Sequence, residues 1–239
     1  MGGRVMKFND IKGVIKKGEF PVESIENPYG DYYTIKLKID AGLTWIPGEH
    51  GVFTLPSKKI EGRKYRLFSI ASLPEEGFIL IGTRTGEEIS SFKQALLTKM
   101  PNEKVTMRGP FGWLKIQDET SPIVMFASGV GITLIRALLK QLEFNTNRPI
   151  ELVYSSSGYY LFGDEIETIA RNNSMIQLYK MASRKETAAK LDELADRYGN
   201  AAYYYNSGAS VVLKSVKKQY IEKGIKKNRI ISDTFIGAK

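Results

Sequence analysis

Three side chains that could do chemistry together stand in the segment Arg66-Leu67-Phe68-Ser69. The β-rich residues around them predict a strand, whose alternation puts Arg66 and Phe68 on one face and Ser69 on the other. The guanidinium could bind a phosphate, the aromatic plane could pack against a flat ring, and the hydroxyl could hydrogen-bond a polar ring nitrogen. Taken alone, the segment is better interpreted as an ordinary half-buried strand.

A glycine-containing turn follows an apolar segment further along the chain, with the sequence Ser128-Gly129-Val130-Gly131-Ile132-Thr133. Glycines let a backbone approach a pyrophosphate closely, and the first N–H groups of the helix that follows attract negative charge. A plain strand-to-helix turn has the same composition, so the motif by itself leaves both interpretations open.

A third segment runs from Gly82 to Ser90. Gly82-Thr83-Arg84 ends a predicted strand, and Gly86 to Ser90 leads into a predicted helix. Ser90 is placed to cap that helix. The same helix start could hold a diphosphate, and the two roles are compatible.

Composition excludes several other kinds of site. The chain has no cysteine and a single histidine, His50. Disulfides, thiolate zinc sites and cysteine-ligated iron–sulfur clusters are therefore excluded, and a histidine metal site or a Ser-His-Asp triad is disfavoured. We predict no metal site and interpret His50 as a surface or hydrogen-bonded residue.

The formal net charge is +9, and much of the excess lies on and just after a predicted amphipathic helix near the end of the chain. A solvated helix face, an acidic protein partner and an anionic nucleotide each account for such a cluster, and nucleic acid ranks below them. The cations concerned are Lys214, Lys217, Lys218, Lys223, Lys226, Lys227 and Arg229.

Hydropathy gives no sign of a membrane partner. No run approaches the roughly 18 apolar residues that a spanning helix needs. The start, Met1 to Asp10, lacks the apolar core of a signal peptide. We therefore expect a cytoplasmic protein.

The elements that would position these residues change in pattern near residue 117. Before it, short β-rich segments separated by turn signals predict an antiparallel β-barrel with one helix, Ser90–Lys99. The predicted strands are residues 32–39, 51–55, 64–70, 78–84 and 104–108, and the turn signals are Asn27-Pro28, Pro47-Gly48 and Gly109-Pro110.

After the polar stretch Gln117 to Pro122, apolar strands alternate with helical patterns, which predicts a doubly wound parallel α/β sheet. We therefore expect two domains, residues 1–117 and 118–239. Ligands of such sheets bind at the carboxyl ends of the strands, where the strand order reverses. The predicted strands are residues 123–127, 150–154, 176–181, 201–205 and 229–232.

In order and spacing, these segments resemble the ferredoxin-NADP reductase superfamily, which includes flavodoxin reductases and the reductase parts of many oxygenases. The resemblance covers nearly the whole chain, and the order of the motifs is more specific than any one of them. It implies FAD on the β-barrel and NAD(P)H on the α/β domain. Its further motifs are Pro47-Gly48-Glu49-His50, Gly109-Pro110-Phe111-Gly112, Tyr205-Asn206-Ser207-Gly208 and Asp233-Thr234-Phe235-Ile236-Gly237.

The resemblance implies a role for each matching residue of the barrel. Arg66 would contact the FAD phosphate, Phe68 would pack on the isoalloxazine ring, and Ser69 would lie near flavin N5 as a catalytic residue. The ribityl, adenosine and pyrophosphate parts would be bound by Gly82, Thr83, Arg84, Glu88, Ile89 and Ser90.

On the α/β domain, the resemblance implies that the glycine turn binds the coenzyme and that Ser207, a second catalytic residue, lies beside the nicotinamide with Gly208. Ser183-Arg184 resembles a pair that binds the 2'-phosphate of NADPH, since arginine binds phosphate in a bidentate manner. This favours NADPH slightly over NADH. The remaining implied coenzyme-site residues are Gly129, Val130, Gly131, Thr133 and Ser155.

Several positions depart from the family pattern. The family usually has a tyrosine at the position of Phe68, a threonine at Val130 and a proline at Leu134. It often has a cysteine at the position of Ser207. Gly237-Ala238 replaces the usual terminal Gly-Tyr, so Phe235 would supply the aromatic ring over the flavin.

We therefore expect an FAD-dependent oxidoreductase that takes hydride from NAD(P)H and passes electrons to an external acceptor. The acceptor would be an acidic ferredoxin- or flavodoxin-like carrier or a partner oxygenase. The alternative is a flavin-binding electron-transfer or regulatory subunit that does not itself oxidise NAD(P)H. Val130, Leu134 and Ser207 motivate this alternative.

Overall fold

The computed structural model describes residues 15–56, 58–144 and 146–234. The chain divides into two compact units, with the division between Lys115 and Ile116. We call the first the β-barrel unit and the second the α/β unit, and each is described by itself.

Six antiparallel strands and one helix make up the β-barrel unit. The strands are β1 (Lys17–Tyr29), β2 (Tyr32–Lys38), β3 (His50–Thr54), β4 (Tyr65–Ser69), β5 (Phe78–Arg84) and β6 (Lys104–Phe111), and the helix is α1 (Ser91–Leu97). They lie in the order β4-β3-β6-β1-β2-β5. The chain after β4 then bonds to β5, because the Ala71 amide donates to the Leu80 carbonyl at 2.8 Å. This joins the two edges of the sheet into a barrel.

The core of the barrel is filled by alternate residues of its strands, together with two residues of α1. Full burial stabilises each large apolar side chain by roughly 1.5–3 kcal/mol relative to exposure. The side chains that are almost completely buried include Val22, Ile35, Leu37, Phe53, Ile79, Ile81, Phe92 and Leu96.

Strand β1 is absent from the sequence prediction, and two predicted turns lie inside strands. Asn27-Pro28 falls in β1 where the register shifts between Glu26 and Tyr29, and Gly109-Pro110 falls in β6 where its pairing with β3 shifts. Proline has no N–H to donate, so it is tolerated at a bulge, where the ladder is already interrupted. Gly109 has a φ of 139°, which suits glycine. The two predicted turns are therefore β-bulges inside β1 and β6.

Five parallel strands form the sheet of the α/β unit, with four helices. The strands are β7 (Ile123–Ser128), β8 (Ile150–Ser155), β9 (Ile176–Met181), β10 (Tyr203–Gly208) and β11 (Ile230–Thr234), and the helices are α2 (Ile132–Leu142), α3 (Gly163–Asn172), α4 (Arg184–Tyr198) and α5 (Ser210–Glu222). The sheet order is β11-β10-β7-β8-β9. The chain adds β8 and β9 on one side of β7, then β10 and β11 on the other. The strand order therefore reverses between β7 and β10.

The polar stretch after the division is attached to the α/β unit. Arg148 Nη1 donates to the Asp118 carbonyl at 2.6 Å and to its carboxylate at 3.1 Å. The Gln117 amide donates to the Tyr205 hydroxyl at 2.9 Å. A stretch that reads as a linker in the sequence is thus held by long-range hydrogen bonds.

One buried tyrosine of α5 gives a test of packing. The Tyr220 hydroxyl is buried without a hydrogen-bond partner among the described residues, and burial raises its pKa well above the usual value. Its ring lies 4.6 Å from that of Tyr204, whose hydroxyl donates to the Gly199 carbonyl at 2.8 Å. We expect Tyr220→Phe to leave the free energy of unfolding unchanged or raise it by up to about 1 kcal/mol, because it removes an unsatisfied buried group.

The matched variant is Tyr204→Phe, which loses a made hydrogen bond and is expected to cost about 1 kcal/mol. Thermal and urea unfolding followed by circular dichroism measures both. Equal losses in the two variants would mean that the Tyr220 hydroxyl has a partner.

Candidate functional site

The site in the α/β unit lies where the ends of β7 and β10 approach each other. A Cβ at Gly131 would overlap the Ser207 carbonyl group and lie 2.7 Å from the Gly208 amide nitrogen. A Cβ at Gly208 would lie 2.8 Å from the Ser128 Cβ. Only glycine permits this approach, which occurs where the strand order reverses. The fold thus brings together the glycine turn and the Ser207-Gly208 pair.

Two buried polar atoms at the end of β10, Ser207 Oγ and Asn206 Oδ1, have no hydrogen-bond partner among the described residues. Leaving a buried polar group unsatisfied costs about 1–3 kcal/mol, so both are groups that a ligand would satisfy. Asn206 lies within the motif Tyr205-Asn206-Ser207-Gly208, but sequence reasoning gave it no role of its own. The strand itself extends to Gly208, beyond its predicted end at Tyr205.

The glycine turn is short and internally bonded. Gly129 has a φ of 54°, and no heavy atom lies within 4 Å of a Cβ built on it, so the turn is open on that side. The Thr133 hydroxyl donates to the Val130 carbonyl at 2.7 Å. Leu134 is completely buried in α2. Gly129 therefore offers the open backbone of this turn, and Thr133 helps to close it.

Ser155 and Ser183 follow neighbouring strands and are connected through Thr187. The Thr187 hydroxyl lies 3.1 Å from Ser155 Oγ and 2.7 Å from the Ser183 carbonyl oxygen. Ser183 caps α4, since its Oγ accepts from the Glu186 amide at 3.1 Å and donates to the Glu186 carboxylate at 2.9 Å. Ser183 is therefore the N-cap of α4, and its hydroxyl is already used in the cap. Arg184 is exposed beside it.

In the β-barrel unit, two cations gather at the start of α1. Arg66 Nη1 donates to the carbonyls of Arg63 and Tyr65, at 3.2 and 2.9 Å, and its guanidinium lies 5.5 Å from the Phe92 ring centroid. Burial and then the charge of Arg66 lower the pKa of Lys93. Lys93, which sequence reasoning missed, therefore has unfavourable surroundings that an anion would relieve.

Phe68 belongs to the barrel core. Only 6% of the residue is exposed, and its ring lies 5.6 Å from Phe53 and 6.4 Å from Phe92. The predicted strand face is therefore covered mostly by protein. Stacking of a flavin ring on Phe68 stays a prediction, and only the exposed rim of the side chain is available for it.

The interpretation of His50 as a surface or hydrogen-bonded residue was wrong. It is 3% exposed, and neither ring nitrogen has a partner among the described residues. The rings of Phe111 and Trp113 approach it edge-on, with centroids 4.5 and 5.6 Å away. Burial lowers its pKa to about 4, so it is neutral at pH 7. Ser69, also buried, lies directly opposite His50 in the β3–β4 ladder.

The third predicted segment leads from the end of β5 to α1. Gly82 and Thr83 are buried in β5, whereas Arg84 is exposed at its end. Ser90 caps α1 by accepting from the Lys93 amide at 3.4 Å. Between them lie Glu88 and Ile89, both exposed. Phe235 and the residues after it lie outside the described residues.

Two kinds of feature are absent from the part of the chain that the structure describes. It contains no group of three or more histidine, aspartate or glutamate residues that could hold a metal ion. None of its helices combines the length and apolar character needed to cross a membrane.

The fold is shared with solved structures, although no protein-family model matches the chain. A flavohemoglobin from Malassezia yamatoensis with bound FAD and heme superposes with a TM-score of 0.76 at 15% identity, over 92% of this chain and 60% of its own. A ferredoxin-NADP+ reductase from Plasmodium falciparum with 2'P-AMP gives 0.77 at 14% identity, over 93% and 97%.

A ferredoxin NADP+ reductase from Neisseria gonorrhoeae with bound FAD and NADP gives a TM-score of 0.75 at 12% identity, over 92% of this chain and 99% of its own. The chain thus spans less than two thirds of the flavohemoglobin but nearly the full length of the two reductases. It has the two-domain fold of the ferredoxin-NADP reductase-like, FAD- and NAD(P)-binding reductases.

Proposed function

We propose that the chain is an FAD-dependent oxidoreductase that takes hydride from NAD(P)H and passes electrons to an external acceptor. One observation carries the proposal. The glycine turn and the Ser207-Gly208 pair meet at the reversal of strand order, in a fold shared with a reductase that holds FAD and NADP. This is where doubly wound sheets bind dinucleotides.

The residues of both units fit the two nucleotides. Unpartnered polar atoms of Asn206 and Ser207 and the open backbone at Gly129 suit the coenzyme. Arg66 and Lys93 suit the phosphates of FAD. Bound flavin supplies the ring that accepts hydride, so the protein contributes position and electrostatics. In this proposal Ser69 orients the ring and Ser207 orients the nicotinamide.

We infer a slight preference for NADPH over NADH. Ser183 uses its hydroxyl to cap α4, so discrimination for a 2'-phosphate rests mainly on Arg184, which is exposed beside it. Arginine binds phosphate oxygens in a bidentate manner. The relative from Plasmodium falciparum was solved with 2'P-AMP, a ligand that carries such a phosphate.

We infer an acidic protein as the electron acceptor. Residues 210–229 carry seven cations and one carboxylate, a surplus of six within a net charge of +9. Lys218 and Lys223 pair with Glu222 and Asp196, at 3.6 and 2.7 Å. Lys214 and Lys217 are exposed on α5 without an ion pair among the described residues. Unpaired charge of one sign speeds the approach of an oppositely charged partner.

An anionic membrane or nucleic acid fits this surface less well than an acidic protein. The apolar face of α5, formed by Leu213, Val216 and Tyr220, is buried in the α/β unit. The exposed large apolar residues of this helix, Val211 and Ile221, stand at its opposite ends and form no continuous face for insertion into lipid. Six of the seven cations are lysines, which act as point charges and lack the planar fork with which arginine binds phosphates.

The alternative function is a flavin-binding electron-transfer or regulatory subunit that does not oxidise NAD(P)H. One observation favours it. Val130 stands in place of the usual threonine and has no hydroxyl, and the hydroxyl of Thr133 donates to the Val130 carbonyl within the turn. The turn would then bind a coenzyme through its backbone, with less help from its side chains.

An anaerobic titration with NADPH and then NADH, followed by the flavin absorption bands, tests both functions. We expect bleaching, at a lower concentration of NADPH than of NADH. Ser69→Ala should retain FAD and slow flavin reduction at least about tenfold, which corresponds to about 1.4 kcal/mol of barrier. Ser24→Ala, a polar serine elsewhere in the β-barrel unit, serves as its control.

Yellow protein that neither coenzyme bleaches would establish the alternative function. Protein that takes up no added FAD would contradict both functions. An unchanged reduction rate in Ser69→Ala would remove Ser69 from the mechanism.

Gly131→Ala tests the close approach of β7 and β10. Its Cβ would overlap the Ser207 carbonyl group, and such overpacking typically costs about 1–3 kcal/mol of stability. We expect a lower melting temperature and at least about tenfold weaker NADPH binding, since the displaced groups belong to the proposed coenzyme site. Calorimetry and fluorescence titration measure the two effects.

The control is Gly158→Ala, because no heavy atom lies within 4 Å of its Cβ position. That variant should match the wild type in both measurements. Normal NADPH binding by Gly131→Ala would place the coenzyme elsewhere.

The unpaired lysines of α5 can be tested against the paired ones. We expect Lys214→Gln combined with Lys217→Gln to raise the KM for an acidic ferredoxin several-fold at low salt and to weaken its salt dependence, because exposed charges act over a Debye length of about 10 Å at 0.1 M salt. Lys218→Gln combined with Lys223→Gln removes the same charge from ion-paired positions.

Reduction of a neutral quinone should be the same in both double variants. Equal effects of the two pairs on ferredoxin would show that only net charge matters. Turnover that does not depend on salt would argue against an acidic acceptor.

A further inference from the structure

A carboxylate in the first hairpin of the barrel holds three consecutive residues at the end of β5. The Asp31 carboxylate accepts from Arg84 Nε at 3.0 and 3.2 Å and from the Gly86 amide at 3.0 Å. The Asp31 carbonyl accepts from the Thr85 amide, also at 3.0 Å. One turn residue thus fixes both the side chain and the backbone of the segment that follows β5.

The segment fixed by Asp31 begins the loop to α1. Gly86 has a φ of 74°, and no heavy atom lies within 4 Å of a Cβ built on it, so the loop turns there in a conformation that favours glycine. Lys93, in the first turn of α1, donates back to the Arg84 carbonyl. The loop is therefore held by Asp31 on one side and by Lys93 on the other.

Asp31 also fixes how Arg84 presents its charge. The guanidinium lies 4.7 Å from the Tyr32 ring centroid, and 43% of the Arg84 side chain is exposed. Asp31 binds Nε of Arg84, and the two terminal nitrogens of the guanidinium have no partner among the described residues. A guanidinium held at its inner edge and stacked on one side has lost most of its freedom before any ligand arrives.

The electrostatics keep Asp31 charged. Partial burial acts to raise its pKa, but hydrogen bonds from Arg84 and the Gly86 amide, with the charge of Arg84, outweigh it and hold the pKa of Asp31 below its usual value. An anionic carboxylate repels a phosphate, so Asp31 is unsuited to bind one directly. Asp31 can therefore affect an anionic ligand only indirectly, by fixing the positions of Arg84 and of the backbone at Thr85 and Gly86.

We propose that Asp31 is a positioning residue for the AMP half of FAD: it fixes the Arg84 side chain and the backbone at Thr85 and Gly86, so that the terminal nitrogens of Arg84 are held ready for this half of the cofactor. The inference rests on the proposed function and extends it to a residue that contacts no cofactor atom itself. FMN lacks the AMP half. Loss of Asp31 should therefore weaken FAD much more than FMN.

The test compares Asp31→Asn with Glu23→Gln in flavin-free full-length protein. Glu23 lies on the same hairpin and forms a partly exposed ion pair with Lys36 at 3.0 Å, so its carboxylate is bound to a different partner from that of Asp31. Titration of the wild type and of both variants with FAD and with FMN, followed by flavin fluorescence, gives six dissociation constants. We expect Asp31→Asn to weaken FAD about tenfold, which matches loss of a charge-assisted hydrogen bond, and FMN less than about twofold. Glu23→Gln should change neither.

Equal weakening of FAD and FMN, or unchanged FAD affinity in Asp31→Asn, would overturn the inference and leave the proposed function standing. Wild-type protein that binds neither flavin would overturn both. Should Asp31→Asn fold poorly, Asp31→Glu keeps the carboxylate and should recover FAD affinity to within about threefold, while exchange of the Gly86 amide measured by NMR should be faster in Asp31→Asn. Unchanged exchange at Gly86 would also overturn it.

Discussion

The close approach of β7 and β10 is the constraint on which the α/β site depends. Adjacent parallel strands leave the sheet at the same edge, and here the turn after β7 reaches the backbone of Ser207 and Gly208. A side chain at Gly131 or Gly208 would separate them. Ser207 Oγ and Asn206 Oδ1, from the same end of β10, are buried without a hydrogen-bond partner among the described residues. The crevice and these two unsatisfied atoms thus occur at the same end of the sheet.

In the β-barrel unit, charged side chains rather than a close approach of two backbones create the candidate binding site. Burial and the charges of Arg66 and Arg84 lower the pKa of Lys93, whereas the carboxylate of Asp31 acts to raise it. Asp31 pairs with Arg84, whereas Arg66 and Lys93 form no ion pair with a carboxylate among the described residues. The α/β unit thus has buried polar atoms without partners at a strand end, and the β-barrel unit has two cations near a helix start whose hydrogen bonds go to neutral carbonyls.

Local patterns in the sequence predicted what local physics determines. The alternation of apolar residues indicated the barrel strands and the parallel sheet, and glycine spacing indicated the turn at Gly129. Long-range contacts were beyond such patterns. Asp31 and Arg84 are separated by 53 residues, and His50 is enclosed by Phe111 and Trp113 from another strand end. Strand β1 was missed because proline and charged residues interrupt its alternation, while its pairing with two neighbours compensates.

The two serines predicted to bind phosphates both cap helices. Their hydroxyls are therefore already hydrogen-bonded, and phosphate binding would depend more on arginine. Ser90 and Ser183 accept hydrogen bonds from the amides of α1 and α4, so a phosphate would rely on backbone groups and on Arg84 or Arg184. The two arginines differ. Asp31 and Tyr32 hold Arg84, whereas Arg184 is exposed and must be ordered when a ligand binds. Ordering a long side chain costs about 0.5–1.5 kcal/mol. A site whose arginine is already ordered, as at Arg84, suits a cofactor that stays bound. A site whose arginine must be ordered on binding, as at Arg184, suits a coenzyme that must leave after each turnover.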